Sequence, residues 1–392
     1  MSHHQYVIIG GGMTADSAIQ GIREMDRFGT IAVISDEKVP PYDRPPLSKG
    51  LWKGETIESV WRNSAGPGTV LYLDRRAAAI DRARKVVTDN QESEYTYDKL
   101  LLATGGRTRR LPVGDPNVIY FKTLDDYYRL RALAEHHSHF VVIGGGFIGS
   151  EIAAALAMNG KKVTMIFPEK GIGARAYPRA LSIFLNAYYR DRGVNLLCGV
   201  TVDQVEAAGS QLRVRTSGRK EITADAVVAG IGMVPEAELA RSAGLAVDNG
   251  IVVDEFLLST DPSIYAAGDV ANFYSPALEI RTRVEHEDNA NVMGRIAGRN
   301  MAGCCERYRH LPYFYSDLFD LGYEAVGVLD ATLDIVEDWK QQFRKGVIYY
   351  LKDDRVRGVL LWNTWGQVDA ARGLIQSRQS FDAASLTGCI AD

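Results

Sequence analysis

Short aliphatic and β-branched runs recur along the chain, several of them followed by a segment whose apolar positions repeat at helical spacing. Tyr6 to Ile9 is such a run, and after it Ala15, Ala18, Ile19, Ile22 and Met25 fall on one face of a predicted helix. Phe140 to Ile143 is another, followed at the same spacing by Ile148, Ile152 and Leu156. The unbroken apolar stretches Ile31 to Ile34, Leu100 to Ala103, Val163 to Phe167 and Ala226 to Ala229 suit strands covered on both faces of a mostly parallel sheet. Alternating strand and helix predicts right-handed crossovers and doubly wound α/β sheets. After about Leu311 the rhythm changes. Tyr313 to Tyr315, Val347 to Leu351 and Val359 to Trp362 are aromatic-rich and alternate like antiparallel strands, which predicts a smaller C-terminal α+β domain.

The two opening runs are copies of one theme. YVIIGGGMTADSAI from Tyr6 echoes FVVIGGGFIGSEIA from Phe140, and two such beginnings imply two Rossmann-type dinucleotide-binding domains. In the first, Gly10-x-Gly12-x-x-Ala15 follows a strand and opens a helix, so backbone N–H groups at the helix start can face a pyrophosphate. The second repeats this with Gly144, Gly146 and Gly149. Each copy then reaches an acid at the end of its next strand, Asp36 and Glu169, placed to accept ribose hydroxyls. A carboxylate there repels a 2′-phosphate, so Glu169 favours NADH over NADPH, a preference that nearby Lys170 and Arg175 temper.

Length and charge narrow the function. The 392 residues, 46% hydrophobic, allow two or three domains with real cores, and a net charge of −4 argues against a nucleic-acid binder despite the short basic run Arg107 to Arg110. The four cysteines, Cys198, Cys304, Cys305 and Cys389, form no CxxC or CxxxxC pair and no metal set with the histidines. They suit a reducing compartment and leave out a redox disulfide between close cysteines. An apolar strand beginning by Tyr6 leaves no room for a targeting peptide, and no apolar run approaches the roughly 20 residues that span a bilayer. The expectation is a soluble, cytoplasmic protein.

Four segments carry a specific resemblance. PPYDRPPLSKGLWKG from Pro40, LLLATGG, YAAGDVANFY and GGGFIGSE together make the chain similar, over nearly its whole length, to the family of NADH-dependent ferredoxin reductases and apoptosis-inducing factor within the pyridine nucleotide-disulfide oxidoreductases. The resemblance implies a discontinuous FAD-binding domain over 1–112 and 237–310, an NAD-binding domain over 113–236 and a C-terminal domain over 311–392. For FAD it implies Gly10, Gly12, Met13, Thr14 and Ala15 at the cradle, Asp36 and Glu37 at the ribose, and Ala78, Ala103, Thr104, Gly105, Gly268, Glu285 and Tyr315 elsewhere. Asp269 would accept from the ribityl chain, and Arg44 and Arg109 would neutralise phosphate or adenosine oxygens. For NAD it implies Gly144, Gly146, Phe147, Ile148, Gly149, Glu151, Glu169, Lys170, Arg175, Gly232, Glu285, Glu324 and Asn363.

Four of these residues carry the chemistry. By the resemblance Lys49 sits near flavin N5 and pairs with Glu151, where it would stabilise the negative charge that builds as hydride arrives. Phe147 would cover the flavin until nicotinamide displaces it, and His286 would touch the flavin edge. Glu285-His286 and the segments YFYSDLFDLGYEAVG and KGVIYYLKDDRVRGVLLWN stand nearer to apoptosis-inducing factor, whereas Asn289-Ala290 also suits bacterial reductases. Tyr315 stands where both groups usually carry a tryptophan. Two functions follow: a reductase that passes electrons to a ferredoxin-type iron–sulfur protein, or a slow NADH oxidase whose NAD-bound charge-transfer state is a redox-sensing binding module. Monomer and homodimer, with or without dependence on NADH, both stay open.

Overall fold

The computed structural model describes residues 1–63 and 66–390, in two compact units between which the chain passes several times. The first takes Met1–Asp43, Ile57–Arg107 and Val234–Tyr313; the second takes Arg44–Thr56, Thr108–Met233 and Phe314–Asp392. Compactness thus groups the residues expected to bind NAD with those of the C-terminal region and with the loop that holds Lys49.

In the first unit a seven-stranded sheet is built around Ser2–Ile9. On one side it pairs in parallel with Ile31–Ile34, which pairs in parallel with Thr69–Tyr72; on the other it pairs in parallel with Glu94–Leu102. The second half of Glu94–Leu102 pairs with Ile264–Ala266, and its first half opens the antiparallel arm Val86–Asp89 and Ala77–Asp81. Ile9, Ile34, Leu102 and Ala266 end their strands in register, so the cradle turn after Ile9 emerges where the strand order reverses, the place such sheets use for ligands. The helix Met13–Met25 lies against Glu287–Met301 almost backbone to backbone. A side chain at Gly294 or Gly298 would run into the carbonyl of Thr14 or Ala18. Met25, expected on the buried face, is 49% exposed, because the last turn of its helix runs past the layer it packs on.

The second unit repeats the plan. Val194–Cys198, Lys162–Phe167, His139–Ile143, Ala226–Ala229 and Ile119–Tyr120 form a five-stranded parallel sheet in that order. Phe147–Met158 and Arg179–Asp191 follow its strands as helices, and a small antiparallel sheet spans Val202–Ala208, Gln211–Thr216 and Glu221–Ala224. Ile148 was expected to be buried but is 40% exposed, since it occupies the first helical turn beside the glycine cluster instead of the packed middle. The C-terminal region is a second five-stranded sheet, ordered Tyr313–Leu318, Leu321–Gly327, Arg355–Trp362, Lys345–Lys352 and Asp334–Gln341, with the helix Val368–Ser377 packed against it.

Candidate active site

Both cradle helices begin on a glycine with no side-chain cap. Gly12 and Gly146 occupy the N-cap in extended conformation and have no side-chain oxygen to offer the first-turn N–H groups, though the Gly12 carbonyl accepts from Ala15 at 3.0 Å. The helix Leu124–His136 of the same protein shows the alternative, with Thr123 and Asp126 closing a full capping box. At Gly146 an added Cβ would meet no atom. Uncapped donors on a positively polarised helix end fit a pyrophosphate, and both cradle helices start without a side-chain cap. Gly10 and Gly144 make the turn before each helix at φ 112° and 119°, and a Cβ would drive them into Ala103 and Gly230 respectively.

Around the first cradle the expected FAD residues gather from separate segments. Gly268 lies so close to Thr14 that a Cβ would overlap its hydroxyl, which sets Asp269 beside the opening of the first helix. Arg283 fixes that turn, donating to the Asp269 carbonyl at 3.0 Å and to the Glu285 carboxylate at 2.6 Å. Asp36 is exposed just past its strand, whereas Glu37 accepts from Tyr42 at 2.6 Å. The N–H groups of Asp74 and Arg75 bond the carbonyls of Glu37 and Ser35, which ties the segment leading to Ala78 to this acidic corner. Ala103 N–H joins the Ile9 carbonyl, Thr104 donates to the Glu236 carbonyl at 2.6 Å, and Gly105 turns at φ 64°. Met13 and Ala15 occupy the first turn of the helix. His286 is the N-cap of Glu287–Met301; burial, opposed in part by Asp288, pulls its imidazole down to about 4. At neutral pH it is therefore an uncharged ring.

In the second unit Glu151 is the centre. It is 3% exposed, and three donors converge on it: Ser48 at 2.6 Å and Lys49 at 2.9 Å on Oε2, and Ser316 at 2.5 Å on Oε1. Removing one partner of such a buried pair leaves a stranded charge and costs about 3–5 kcal/mol. The Lys49 ammonium also lies 5.2 Å from the centre of the Tyr315 ring, a cation–π distance. Trp52 anchors the lysine loop: its indole donates to the Leu47 carbonyl, Arg131 covers its ring, and Asn159 bonds its carbonyl. Phe147 opens the helix against Phe314, 5.3 Å between ring centres.

The remaining expected NAD residues divide by partner. Gly149 packs its helix onto the Gly144 carbonyl. Glu169 pairs with Arg175 at 2.6 Å, the arginine side chain being 85% exposed, and the Lys170 carbonyl accepts from Asn186. Gly232 accepts the Arg109 N–H at 2.9 Å, so Arg109, expected on the FAD side, is placed beside a residue expected on the NAD side. Arg44 donates to the Lys122 carbonyl. Glu324 and Asn363 accept the N–H groups of Gly366 and Gly322, bracing loops of the C-terminal sheet. Ser48 and Ser316 went unnoticed in the sequence. Ser48 had a signal in its adjacency to Lys49; Ser316 had none, since only the path of its strand brings it to Glu151.

Among the described residues no cluster of histidine, cysteine and acidic groups could hold a metal, and no helix is long and apolar enough to cross a membrane. Residues 4–294 match the family described as pyridine nucleotide-disulphide oxidoreductase, and 297–341 with 336–377 match the C-terminal domain of apoptosis-inducing factor. The chain is 34% identical to apoptosis-inducing factor 1 of Dictyostelium discoideum, covering 96% of this chain and 79% of that protein. It is also 34% identical to the ferredoxin–NAD(+) reductase component of the anthranilate 1,2-dioxygenase system of Burkholderia cepacia, covering 98% and 97%. Among solved structures, the covalent putidaredoxin reductase–putidaredoxin complex superposes with a TM-score of 0.90 at 31% identity, over 98% of this chain and 95% of that one.

Proposed function

The chain belongs to the pyridine nucleotide-disulphide oxidoreductase family, and on that premise we propose that it draws a hydride from NADH onto FAD and delivers the electrons to a ferredoxin-type iron–sulfur protein. The observation that carries the reading is the buried Lys49–Glu151 pair on the helix that begins at the NAD cradle. When both cofactors are bound, NADH would supply a hydride and FAD would accept it. Lys49 would stabilise the negative charge that builds on the flavin as hydride arrives, Glu151 keeps that ammonium oriented, and Phe147 would cover the flavin until nicotinamide displaces it. Gly10, Gly12, Asp36 and Asp269 are assigned to FAD, and Gly144, Gly146, Gly149 and Glu169 to NAD. Glu169 favours NADH. The four cysteines, which form no CxxC or CxxxxC pair, support direct passage without a redox disulfide. The cytoplasm is the proposed compartment.

A second reading has its own support in the match to the apoptosis-inducing factor C-terminal domain. On that reading the protein oxidises NADH slowly, and its NAD-bound, reduced form is the functional species. Anaerobic reduction with NADH, followed through the flavin spectrum, separates the two. Rapid reoxidation by an added ferredoxin supports the reductase. A long-lived charge-transfer band with a change in oligomeric state supports the alternative, and a protein that NADH does not bleach removes both.

A further inference from the structure

Glu151 is the end of a longer polar chain. Ser316, itself 1% exposed, has a single hydroxyl proton and gives it to Glu151 Oε1; the same hydroxyl is hydrogen-bonded to Tyr323. Tyr177 in turn donates to the Tyr323 hydroxyl at 2.9 Å. Tyr177 thus commits its proton to Tyr323, and Ser316 commits its own to Glu151. Both tyrosines are fully buried and their hydroxyls are held well above the usual range, chiefly by burial, so they remain neutral donors at any working pH. Tyr323 is clamped between the Trp362 ring, stacked at 5.7 Å and 10°, and the edge of Tyr177. Tyr177 belongs to the segment whose Gly173 N–H bonds the Gly145 carbonyl in the NAD cradle.

The division of labour on the carboxylate is the telling detail. Ser48 and Lys49, neighbours on one loop of short 3-10 turns, share Oε2, whereas Ser316 alone comes from a sheet strand and takes Oε1. A carboxylate held at one oxygen can swivel, and a lysine on a four-carbon stem follows it. Held at both, it is fixed. We propose that Ser316, backed by Tyr323 and Tyr177, is a positioning residue for the Lys49–Glu151 pair and so sets how firmly the ammonium is presented to the flavin. This rests on the assignment of Lys49 to the flavin made above.

The test uses the FAD-loaded enzyme and reads the midpoint potential and visible spectrum of the flavin beside the rate of its reduction by NADH. Lys49→Met lowers the potential, because a positive charge near the ring is lost. Ser316→Ala lowers it in the same direction by less and slows reduction by about tenfold, the scale of one hydrogen bond to a charged group. Ser316→Thr, which restores the hydroxyl, returns both toward wild type. Tyr323→Phe, which keeps the ring and its packing, gives a weaker version of the alanine effect and carries the test if Ser316→Ala does not retain flavin. A shifted potential in Lys49→Met with wild-type potential and spectrum in Ser316→Ala and Tyr323→Phe overturns the positioning role alone. An unmoved potential in Lys49→Met overturns the flavin assignment and this role together.

Discussion

The two cradles are copies that part most sharply in charge at one helical position. Aligned on their glycines, Gly10, Gly12 and Met13 stand against Gly144, Gly146 and Phe147, and both helices start uncapped. One turn further in, Ser17 stands where the second copy has Glu151. Ser17 reaches Asn291 at 3.2 Å on the helix packed against it, a quiet structural bond. Glu151 instead carries a buried charge that recruits a lysine and two serines from other segments. The uncapped glycine start is thus common to both, and what sets the copies apart is a buried charge with its partners on the second. The difference teaches that one frame can be kept for binding while a single buried position takes the catalytic part we propose for it.

The largest effect should come from the shared part. Gly10→Val forces a positive φ on a branched residue, a strain of about 1–3 kcal/mol before any clash, and drives its side chain into Ala103. The variant should purify without flavin. Gly144→Val should keep its yellow colour and lose NADH binding, as titration of the flavin spectrum will show; equal flavin loss in both would break the assignment of one cofactor to each cradle. Next in size is Glu151→Ala, which strands Lys49 and should cost about 3–5 kcal/mol in urea unfolding. Lys49→Met should slow flavin reduction in stopped flow by about 100-fold, the scale of removing one preorganised charge donor.

A pH effect of intermediate size sits in the first unit. His286 is neutral when folded, at about 4, but takes a proton near its ordinary value when unfolded, so acid favours the unfolded chain. Stability should therefore fall as pH drops from about 6.5 toward 4, by at most about 1.4 kcal/mol per unit, less with partial solvent access. Urea midpoints at pH 7 and pH 5 measure it, and His286→Gln should flatten that part of the slope. The smallest effect belongs to Ser17→Ala, expected within about 1 kcal/mol of wild type, since it removes a single neutral hydrogen bond. A cost as large as that of Glu151→Ala would erase the contrast between the copies.

Much of this frame could be read before any coordinates. Ile31–Ile34 and Ala226–Ala229 appear as strands with the bounds their apolar runs suggested, because a strand covered on both faces has no polar position to blur its ends. The helical faces were legible in their middles and misread at their ends, at Met25 and Ile148, where periodicity continues but the packed layer does not. Lys49 and Glu151 were paired on resemblance and meet at 2.9 Å. Ser316, Tyr323 and Tyr177 were not legible: they are far apart in sequence, their types are common, and only strand order and ring packing bring their hydroxyls into line. The partners of Glu324 and Asn363, backbone N–H groups of nearby loops, were hidden for a similar reason, since a backbone donor leaves no mark in the sequence.

The glycine starts of the two cradle helices bear on how the protein is made as well as on what it binds. A helix without a side-chain cap leaves its first donors to whatever anion arrives, so part of the folding free energy of each unit is supplied from outside. A ligand present at 100 times its dissociation constant adds about 2.7 kcal/mol to the unit that holds it. A cell short of flavin would accumulate a chain whose first unit opens more often, exposing its long apolar strands to proteases and to one another. Flavin supply would then set how often the chain is found open.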